Sequence, residues 1–282
     1  MDLTNKVYTI NNGFLNNHTD KKIFFRSSIL SNNIGNILII HGFGEHSARY
    51  AYATYCLNKA GFNVYAFDLI GHGLSGSTRG FIKNIDDYVT CVEQMIELIK
   101  KNHPNEKIGL LGHSMGGLIA IFTVQKCFKD IYCLVLSNPL LKIKAMPSLY
   151  KHYLANVLAI INPYLLLAST VKPQYLSNNE QSNQEYAQDR LILKSVCIGW
   201  YRQICLALKK VQSLVLPLPT LMQLSVKDQI IDSVAAQDWF TNLEKKHDYE
   251  LKTYENARHE LYHEKEREIY VNHMIKWFKD HC

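Results

Sequence analysis

The sequence predicts an α/β fold with a largely parallel sheet, and three observations support this prediction. Short apolar runs alternate with segments of helical periodicity along most of the chain. The first four apolar runs lack polar alternation, which is typical of strands that helices cover on both faces. The 282 residues are also enough to bury a sizeable core, as one large domain or as a domain with an insertion.

Six apolar runs account for the predicted strands, and helical patterns lie between the first of them. The predicted strands are Asn36–His41, Phe62–Asp68, Lys107–Gly112, Tyr132–Ser137, Pro219–Ser225 and Tyr249–Tyr254. The predicted helices lie near Tyr50–Ala60, Ile85–Lys101 and Met115–Lys129, and the second of them repeats apolar residues at helical spacing.

The alternation stops after the fourth strand, which predicts an insertion. Between residues 139 and 213 the sequence is helical or irregular, with breaks at Pro147, Pro163 and Pro173. The strand pattern then resumes. We therefore expect a core formed by residues 1–138 and 214–282, with a helical insertion at residues 139–213.

The insertion holds an amount of positive charge equal to the net charge of the whole chain. It has nine basic and three acidic residues, and nine minus three equals the formal net charge of +6. An apolar segment, YLANVLAIINPYLLLAS, begins inside it at Tyr153. Cations beside exposed apolar surface predict peripheral contact with an anionic membrane. The alternative is an apolar face that packs on the core beside solvated cations. The charged residues are Lys142, Lys144, Lys151, Lys172, Arg190, Lys194, Arg202, Lys209, Lys210, Glu180, Glu185 and Asp189.

Composition argues against a membrane-spanning or secreted protein. No apolar run reaches the roughly 18 residues that a membrane span needs. The first residues, MDLTNKVYTINNG, lack the apolar segment and cleavage site of a signal peptide. The seven cysteines are scattered, odd in number and without C-x-x-C spacing, as reduced thiols would be. We therefore expect a cytoplasmic location.

The segment GHSMG predicts a nucleophilic serine. Gly112 ends a predicted strand and a helix begins at Met115, so Ser114 lies on the turn between them. A sharp strand–turn–helix elbow needs residues without side chains, here Gly112 and Gly116 on either side of His113 and Ser114. The turn raises the hydroxyl above the sheet, beside the positive end of the helix. A glycine-rich turn without function is the alternative.

Two other segments match motifs of different chemistry. GHGLSG, at Gly71–Gly76, has the spacing of a dinucleotide-binding loop, but helical periodicity does not resume until Ile85. HELYH, at His259–His263, has the spacing of a zinc site with Glu260 as the base, but its flanks are polar and no third ligand is evident. We expect neither a nucleotide nor a metal at these segments, and no nucleic-acid partner.

Four segments in order resemble the monoacylglycerol lipase and lysophospholipase group of α/β-hydrolases. They are HGFGEHSARY, AFDLIGHGLSGSTRGF, GLLGHSMGG and YENARHELYHE, and the similarity covers nearly the whole chain. The resemblance implies an eight-stranded, mostly parallel sheet flanked by helices. Its first pair, near Gly13–Asn17 and Lys22–Ser27, would be antiparallel. A helical cap would follow the sixth strand, where the insertion lies.

The resemblance also implies a catalytic triad in the order serine, acid, histidine. Ser114 corresponds to the nucleophile, Asp228 to the acid and His259 to the base. Asp232 and Asp238 are alternative acids, but Asp228 directly follows a strand. His263 is the alternative base. The sequence departs from the family at Ser225, where the family often has a glycine.

Such a triad hydrolyses esters through an acyl-enzyme, without metal or cofactor. The backbone N–H groups of Phe43 and Met115 would hold the oxyanion. The expected substrate is the ester of a single-chain lipid, a monoacylglycerol or a lysophospholipid. A serine aminopeptidase of the same fold is one alternative, although it would need carboxylates for a free amino group. A binding protein without activity is the other, although all three triad residues are present.

Overall fold

A central sheet organises the computed structural model, which describes residues 8–16, 21–244 and 246–281. The strands are β1 Tyr8–Asn16, β2 Lys22–Leu30, β3 Asn36–Ile40, β4 Asn63–Phe67, β5 Ile108–His113, β6 Cys133–Ser137, β7 Leu166–Ala168, β8 Ser195–Cys197, β9 Thr220–Ser225 and β10 Tyr249–Tyr254. Eight of them form one sheet in the order β1-β2-β4-β3-β5-β6-β9-β10. Strand β2 is antiparallel to both neighbours, and the other pairs are parallel. The predicted sheet is thus confirmed; only Asn17 of its first strand lies outside the described residues.

Eight α-helices flank or follow these strands in the described part of the chain. They are α1 Ala51–Ala60, α2 Asp86–Asn102, α3 Met115–Cys127, α4 Leu149–Ile161, α5 Glu180–Gln188, α6 Ile198–Val211, α7 Ser233–Thr241 and α8 Arg267–His281. The three predicted helices agree with α1, α2 and α3. The last turn predicted for α3 is instead a short 3₁₀ turn at Phe128–Asp130.

The sheet is covered on both faces, which explains the uninterrupted apolar character of its central strands. Alternate residues of β3 enter different clusters: Leu38 and Ile40 pack with α2 and α3, whereas Ile37 and Ile39 pack with α1 and α8. Every residue of β3 is buried as a result. The carboxyl ends of the parallel strands meet at one edge, where ligand sites of open α/β sheets lie.

The chain between β6 and β9 adds helices and strands outside the main sheet, and part of α6 packs into the main core through Trp200, Ile204 and Ala207. This segment contains α4, α5, α6 and the antiparallel pair β7–β8, which is not part of the main sheet. Helix α4 exposes much of its apolar surface, with Leu149, Tyr153, Ile160 and Ile161 each at least 70% exposed. Among the described residues, no helix combines the length and apolar character needed to cross a bilayer.

Candidate active site

Ser114 occupies a strained elbow between β5 and α3. Its backbone has φ +52° and ψ −117°, a conformation that residues with a side chain rarely adopt. A Cβ atom added to Gly116 would lie 2.1 Å from the carbonyl oxygen of Ile40. One added to Gly112 would lie 2.6 Å from the carbonyl oxygen of Gly116. The two glycines therefore allow β3, β5 and α3 to approach closely enough to form the elbow.

Asp228 and His259 form a buried pair at the ends of β9 and β10. His259 Nδ1 lies 2.6 Å from Asp228 Oδ2. The other carboxylate oxygen of Asp228 accepts backbone hydrogen bonds from Ile230 at 2.7 Å and Ile231 at 3.0 Å. Asp228 is fully buried, and both of its carboxylate oxygens have hydrogen-bond partners.

The two alternative acids lie elsewhere. Asp232 caps the start of α7 by accepting from the Ala235 N–H at 3.0 Å, and it pairs with Lys142 at 2.8 Å. Asp238 lies within α7. Of these three carboxylates, Asp228 is the one that contacts His259 in the described part of the chain.

The ionisation of the pair follows from its burial and its contact. Burial alone would lower the pKa of His259, but the facing Asp228 carboxylate raises it above the ordinary value near 6.5. Burial would likewise raise the pKa of Asp228, and the charge and hydrogen bond of His259 lower it. The pair therefore favours an ionised Asp228 beside an imidazole that readily accepts a proton.

Ser114 and His259 line one cavity of about 390 Å³, whose wall also includes residues of the segment between β6 and β9. In the described structure their side chains are not joined by a hydrogen bond; in unliganded enzymes this contact often forms only with substrate. Most of the wall is apolar. Its residues include Phe43, Leu140, Ile143, Ala155, Leu167, Val171, Leu176, Val196, Trp200 and Ile230, with Glu45, Lys151, Tyr186 and Glu260 as polar members.

The loop after β3 brings Phe43 to this cavity. The Gly42 N–H donates to Glu45 Oε1 at 2.6 Å, and Gly44 adopts φ +77°. The ring of Phe43 packs on Trp200 with centroids 4.5 Å apart. Met115 is the first residue of α3 and directly follows the elbow.

A buried ionic network, whose residues had no predicted role, adjoins the cavity. Arg49 lies between two carboxylates, with Nε 3.2 Å from Glu45 and Nη2 2.5 Å from Glu260. The Tyr50 hydroxyl donates to Glu45 at 2.8 Å, and Arg49 stacks over the ring of Tyr186. Glu45, Arg49 and Tyr50 all lie in the segment HGFGEHSARY, which carries part of the family resemblance. The resemblance marked this segment but gave these three residues no function.

The HELYH segment does not form the α-helix that its zinc-site interpretation requires. Leu261–His263 is a 3₁₀ turn. While His259 faces Asp228, His263 Nε2 lies 2.9 Å from the Arg49 carbonyl oxygen. The Glu260 carboxylate is paired with Arg49. The imidazoles of His259 and His263 thus contact different groups and do not face a common metal position.

The GHGLSG loop packs against the side chain of Asp68 and does not lead directly into a helix. Asp68 accepts backbone hydrogen bonds from Ser47 and Leu74, both at 2.8 Å. A Cβ at Gly73 would lie 2.1 Å from the same carboxylate, at a φ of +48°. The next helix begins only at Asp86. The glycines are explained by this close approach.

Known proteins resemble the chain over most of its length. A family described as "Serine aminopeptidase, S33" matches residues 31–266. Human monoglyceride lipase is 34% identical over 81% of this chain and 76% of its own. Phospholipase YtpA of Bacillus subtilis is 29% identical over 82% of this chain and 90% of its own. The chain also spans 26% of the length of an abhydrolase domain-containing protein of Dictyostelium discoideum, with 27% identity.

A solved structure agrees with the sequence matches. The monoacylglycerol lipase of Paleococcus ferrophilus superimposes with a TM-score of 0.80 at 27% identity, over 95% of this chain and 98% of the other. Fold, strand order and sequence similarity therefore agree, and the chain belongs to the α/β-hydrolases, in the family described as serine aminopeptidase S33.

Proposed function

We propose that the protein hydrolyses carboxylic esters of single-chain lipids through an acyl-enzyme on Ser114. The observation that carries this proposal is the shared cavity: the elbow serine and the Asp228-paired His259 open into the same largely apolar space. The named activities of the human and Bacillus subtilis relatives, a monoglyceride lipase and a phospholipase, support a lipid ester as substrate.

The proposed mechanism uses the three side chains in turn. His259 accepts the Ser114 proton as the serine oxygen attacks the ester carbonyl, and Asp228 stabilises the imidazolium. His259 then protonates the leaving alcohol, and the C–O bond of the ester breaks to leave an acyl-serine. Water, deprotonated by His259, releases the fatty acid and restores Ser114.

The oxyanion of each tetrahedral intermediate would be held by two backbone N–H groups, those of Phe43 and Met115. Phe43 is suited to this role because Glu45 fixes the preceding Gly42 N–H and Trp200 supports the Phe43 ring. Met115 is suited because it begins α3, where unpaired N–H groups point out of the helix.

We propose that the acyl chain lies against the apolar side chains of the cavity and that the alcohol group lies near its polar side chains. Glu45, Tyr186 and Glu260 line the cavity, and all three contact Arg49. A panel tests the assignment: monoacylglycerols of several chain lengths, lysophosphatidylcholine and p-nitrophenyl esters. We expect turnover of long-chain substrates that Ser114→Ala abolishes. Absence of turnover on every ester, with the protein folded, would overturn the proposal.

An aminopeptidase is the second candidate, because the family description names that activity. The substrate's amino group would need an unpaired carboxylate in the cavity. Glu45 and Glu260 do line it, but they share Arg49, and Glu45 also accepts from Gly42 and Tyr50. We therefore expect no hydrolysis of aminoacyl-naphthylamides. Faster turnover of these amides than of any ester would favour the peptidase.

We also propose that residues 139–213 act as a cap that docks on lipid surfaces. Helix α4 carries the apolar part of this surface, with Ile160 and Ile161 70% and 74% exposed. Two of the nine cations in the insertion bind oxygen atoms of other segments. Lys142 is paired with Asp232, and Lys144 donates to the Asp228 carbonyl oxygen. Lys209 lines the same surface pocket as Leu149 and Tyr153 and is a candidate contact for anionic lipid.

Co-sedimentation with vesicles tests docking. We expect more protein in the pellet with phosphatidylglycerol than with phosphatidylcholine, and less after the double change Ile160→Ser and Ile161→Ser. Val234→Ser removes an equally exposed apolar group from α7 and serves as the control. Equal recovery of all variants in the supernatant would leave the cap as a lid over the cavity.

A further inference from the structure

We infer that Asn138 is a positioning residue that fixes the distance between Ser114 and His259, and that Ser225 completes its action. This inference rests on the proposed function, because it concerns the geometry of that site. Asn138 follows β6 and is fully buried, with φ +42°. Asparagine is among the few residues with a side chain that tolerate this left-handed conformation.

The residues after β6 hold the nucleophile through its backbone. The Ser114 N–H donates to the Ser137 carbonyl oxygen at 3.0 Å, and the Leu140 N–H donates to the Ser114 carbonyl oxygen at 2.9 Å. Both main-chain groups of Ser114 are thus bonded to residues that flank Asn138. Together they anchor the strained elbow to residues 137–140.

The Asn138 side chain holds the base from the other side. Its Nδ2 donates to the His259 carbonyl oxygen at 2.6 Å and to Ser225 Oγ at 2.9 Å, and its Oδ1 accepts from the Ser225 N–H at 2.7 Å. The Ser225 hydroxyl in turn donates to the Arg258 carbonyl oxygen at 2.5 Å. Two successive carbonyls of the loop that carries His259 are therefore held by this one pair of side chains.

One four-residue segment consequently contacts the backbones of both proposed reacting residues. Because buried amide hydrogen bonds have little room to slip, the segment sets the separation of Ser114 and His259. It also fixes the loop in the position that brings His259 Nδ1 within 2.6 Å of Asp228. Ser225 belongs to this arrangement: a glycine there would remove a hydroxyl that both accepts from Asn138 and donates to Arg258.

The test removes the Asn138 side chain without straining the backbone. Asn138→Gly keeps the left-handed conformation accessible, and Ser225→Ala removes only the hydroxyl. A displacement of about 1 Å at a reacting group can cost on the order of 100-fold in rate. We expect kcat on p-nitrophenyl butyrate to fall 10- to 100-fold in Asn138→Gly and less in Ser225→Ala, with KM changed less than twofold.

The pH dependence of kcat/KM distinguishes a displaced His259 from a mere loss of folded protein. We expect the acidic limb of kcat/KM to move to lower pH in both variants, since a displaced His259 contacts the Asp228 carboxylate less closely. The other titratable groups that act on His259, namely His113, Glu45 and Glu260, are unchanged in these variants. Asn58→Ala is the matched control. It removes a buried asparagine that bonds Ser28 and Phe62 far from the site, and should leave kcat per titrated active site and the pH limb as in the wild type.

The outcomes are distinguishable from failure of the proposed function. A wild-type protein that hydrolyses no ester and is not labelled by a fluorophosphonate would contradict the function itself. An active wild type with an Asn138→Gly variant of unchanged kcat and unmoved pH limb would overturn the positioning role. The same conclusion would follow if Ser225→Ala behaved like Asn58→Ala, even where Asn138→Gly failed to fold.

Discussion

The carboxylate of Asp228 governs the protonation state of His259. Burial lowers the pKa of the imidazole; Asp228 is the main group that raises it, and Glu260 and Glu45 add smaller effects in the same direction. Under the proposed mechanism His259 works as a neutral base. The value of kcat/KM should therefore rise with pH through a pKa above the ordinary value near 6.5.

Asp228→Asn removes the negative charge and tests whether Asp228 controls the pKa of His259. We expect kcat to fall by about 10⁴-fold, the size of effect seen when a triad acid is neutralised elsewhere. The acidic limb of the residual kcat/KM should shift to lower pH, because the main group that raises the pKa of His259 is gone. A pH–rate profile measures both quantities, and a limb that stays in place would refute Asp228 as the partner.

His259 and His263 differ in what their rings contact. His263 bonds the Arg49 carbonyl oxygen and does not line the cavity. His263→Ala should keep kcat on a soluble ester within about tenfold of the wild type, whereas His259→Ala should lose several orders of magnitude. The reverse order of activities would mean that the wrong histidine has been chosen.

The sequence alone indicated some residues of the candidate site and missed others. The difference depends on how far apart the interacting residues lie along the chain. Ser114 was predictable because the glycines that form the elbow, Gly112 and Gly116, lie only two positions away in sequence. Asp228 and His259 follow strands, but their choice over nearby residues depended on family resemblance. The Arg49–Glu260 contact joins residues 211 positions apart and leaves no local pattern. The bonds of Asn138 to Ser225 and His259 were hidden for the same reason.

At the level of helices and strands, local pattern was reliable where an element is buried. The strands near the elbow are covered on both faces, so their sequences are continuously apolar. The pair β7–β8 was missed because three residues per strand carry no period. Helix α8 was missed although its buried side chains have helical spacing: Tyr270, Val271, Met274, Trp277 and Phe278.

The elbow between β5 and α3 offers a prediction about stability. In Gly116→Ala the new methyl would meet the Ile40 carbonyl oxygen at 2.1 Å, and backbone must move to admit it. Overpacking of this kind costs typically about 1–3 kcal/mol, so the free energy of unfolding should fall by at least that amount. Denaturant titration measures the change.

Gly76→Ala provides the matched control for this experiment. Its added methyl would find its nearest atom at 3.3 Å, and the backbone there is not left-handed. We expect a change of under about 1 kcal/mol. Equal effects of the two substitutions would show that crowding at the elbow does not require Gly116.

On the scale of the whole molecule, the insertion combines an excess of six positive charges with the exposed apolar side chains of α4. The sequence predicted this coincidence from composition alone. It could not predict which cations are engaged, because Lys142 and Lys144 meet residues more than 80 positions away. We therefore assign the main part of the proposed lipid contact to the exposed apolar side chains of α4, with cations other than Lys142 and Lys144 beside them.

This arrangement predicts a selective kinetic defect. The double change Ile160→Ser and Ile161→Ser should slow hydrolysis of monoacylglycerol presented in vesicles by about tenfold, because the apolar area available to the bilayer falls. Hydrolysis of dissolved p-nitrophenyl butyrate should be unchanged, since neither residue lines the cavity. Equal loss on both substrates would instead indicate damage to the fold.

The central claim, that Ser114 becomes covalently acylated, is tested most directly by mass spectrometry of the protein after reaction with a fluorophosphonate. We predict one adduct per chain, located on the peptide that contains Ser114, with its rate of formation reduced by Asp228→Asn and His259→Ala. Ser114→Ala should carry no adduct and should hydrolyse no ester while remaining folded. Labelling of another residue, or undiminished ester turnover in Ser114→Ala, would contradict the account.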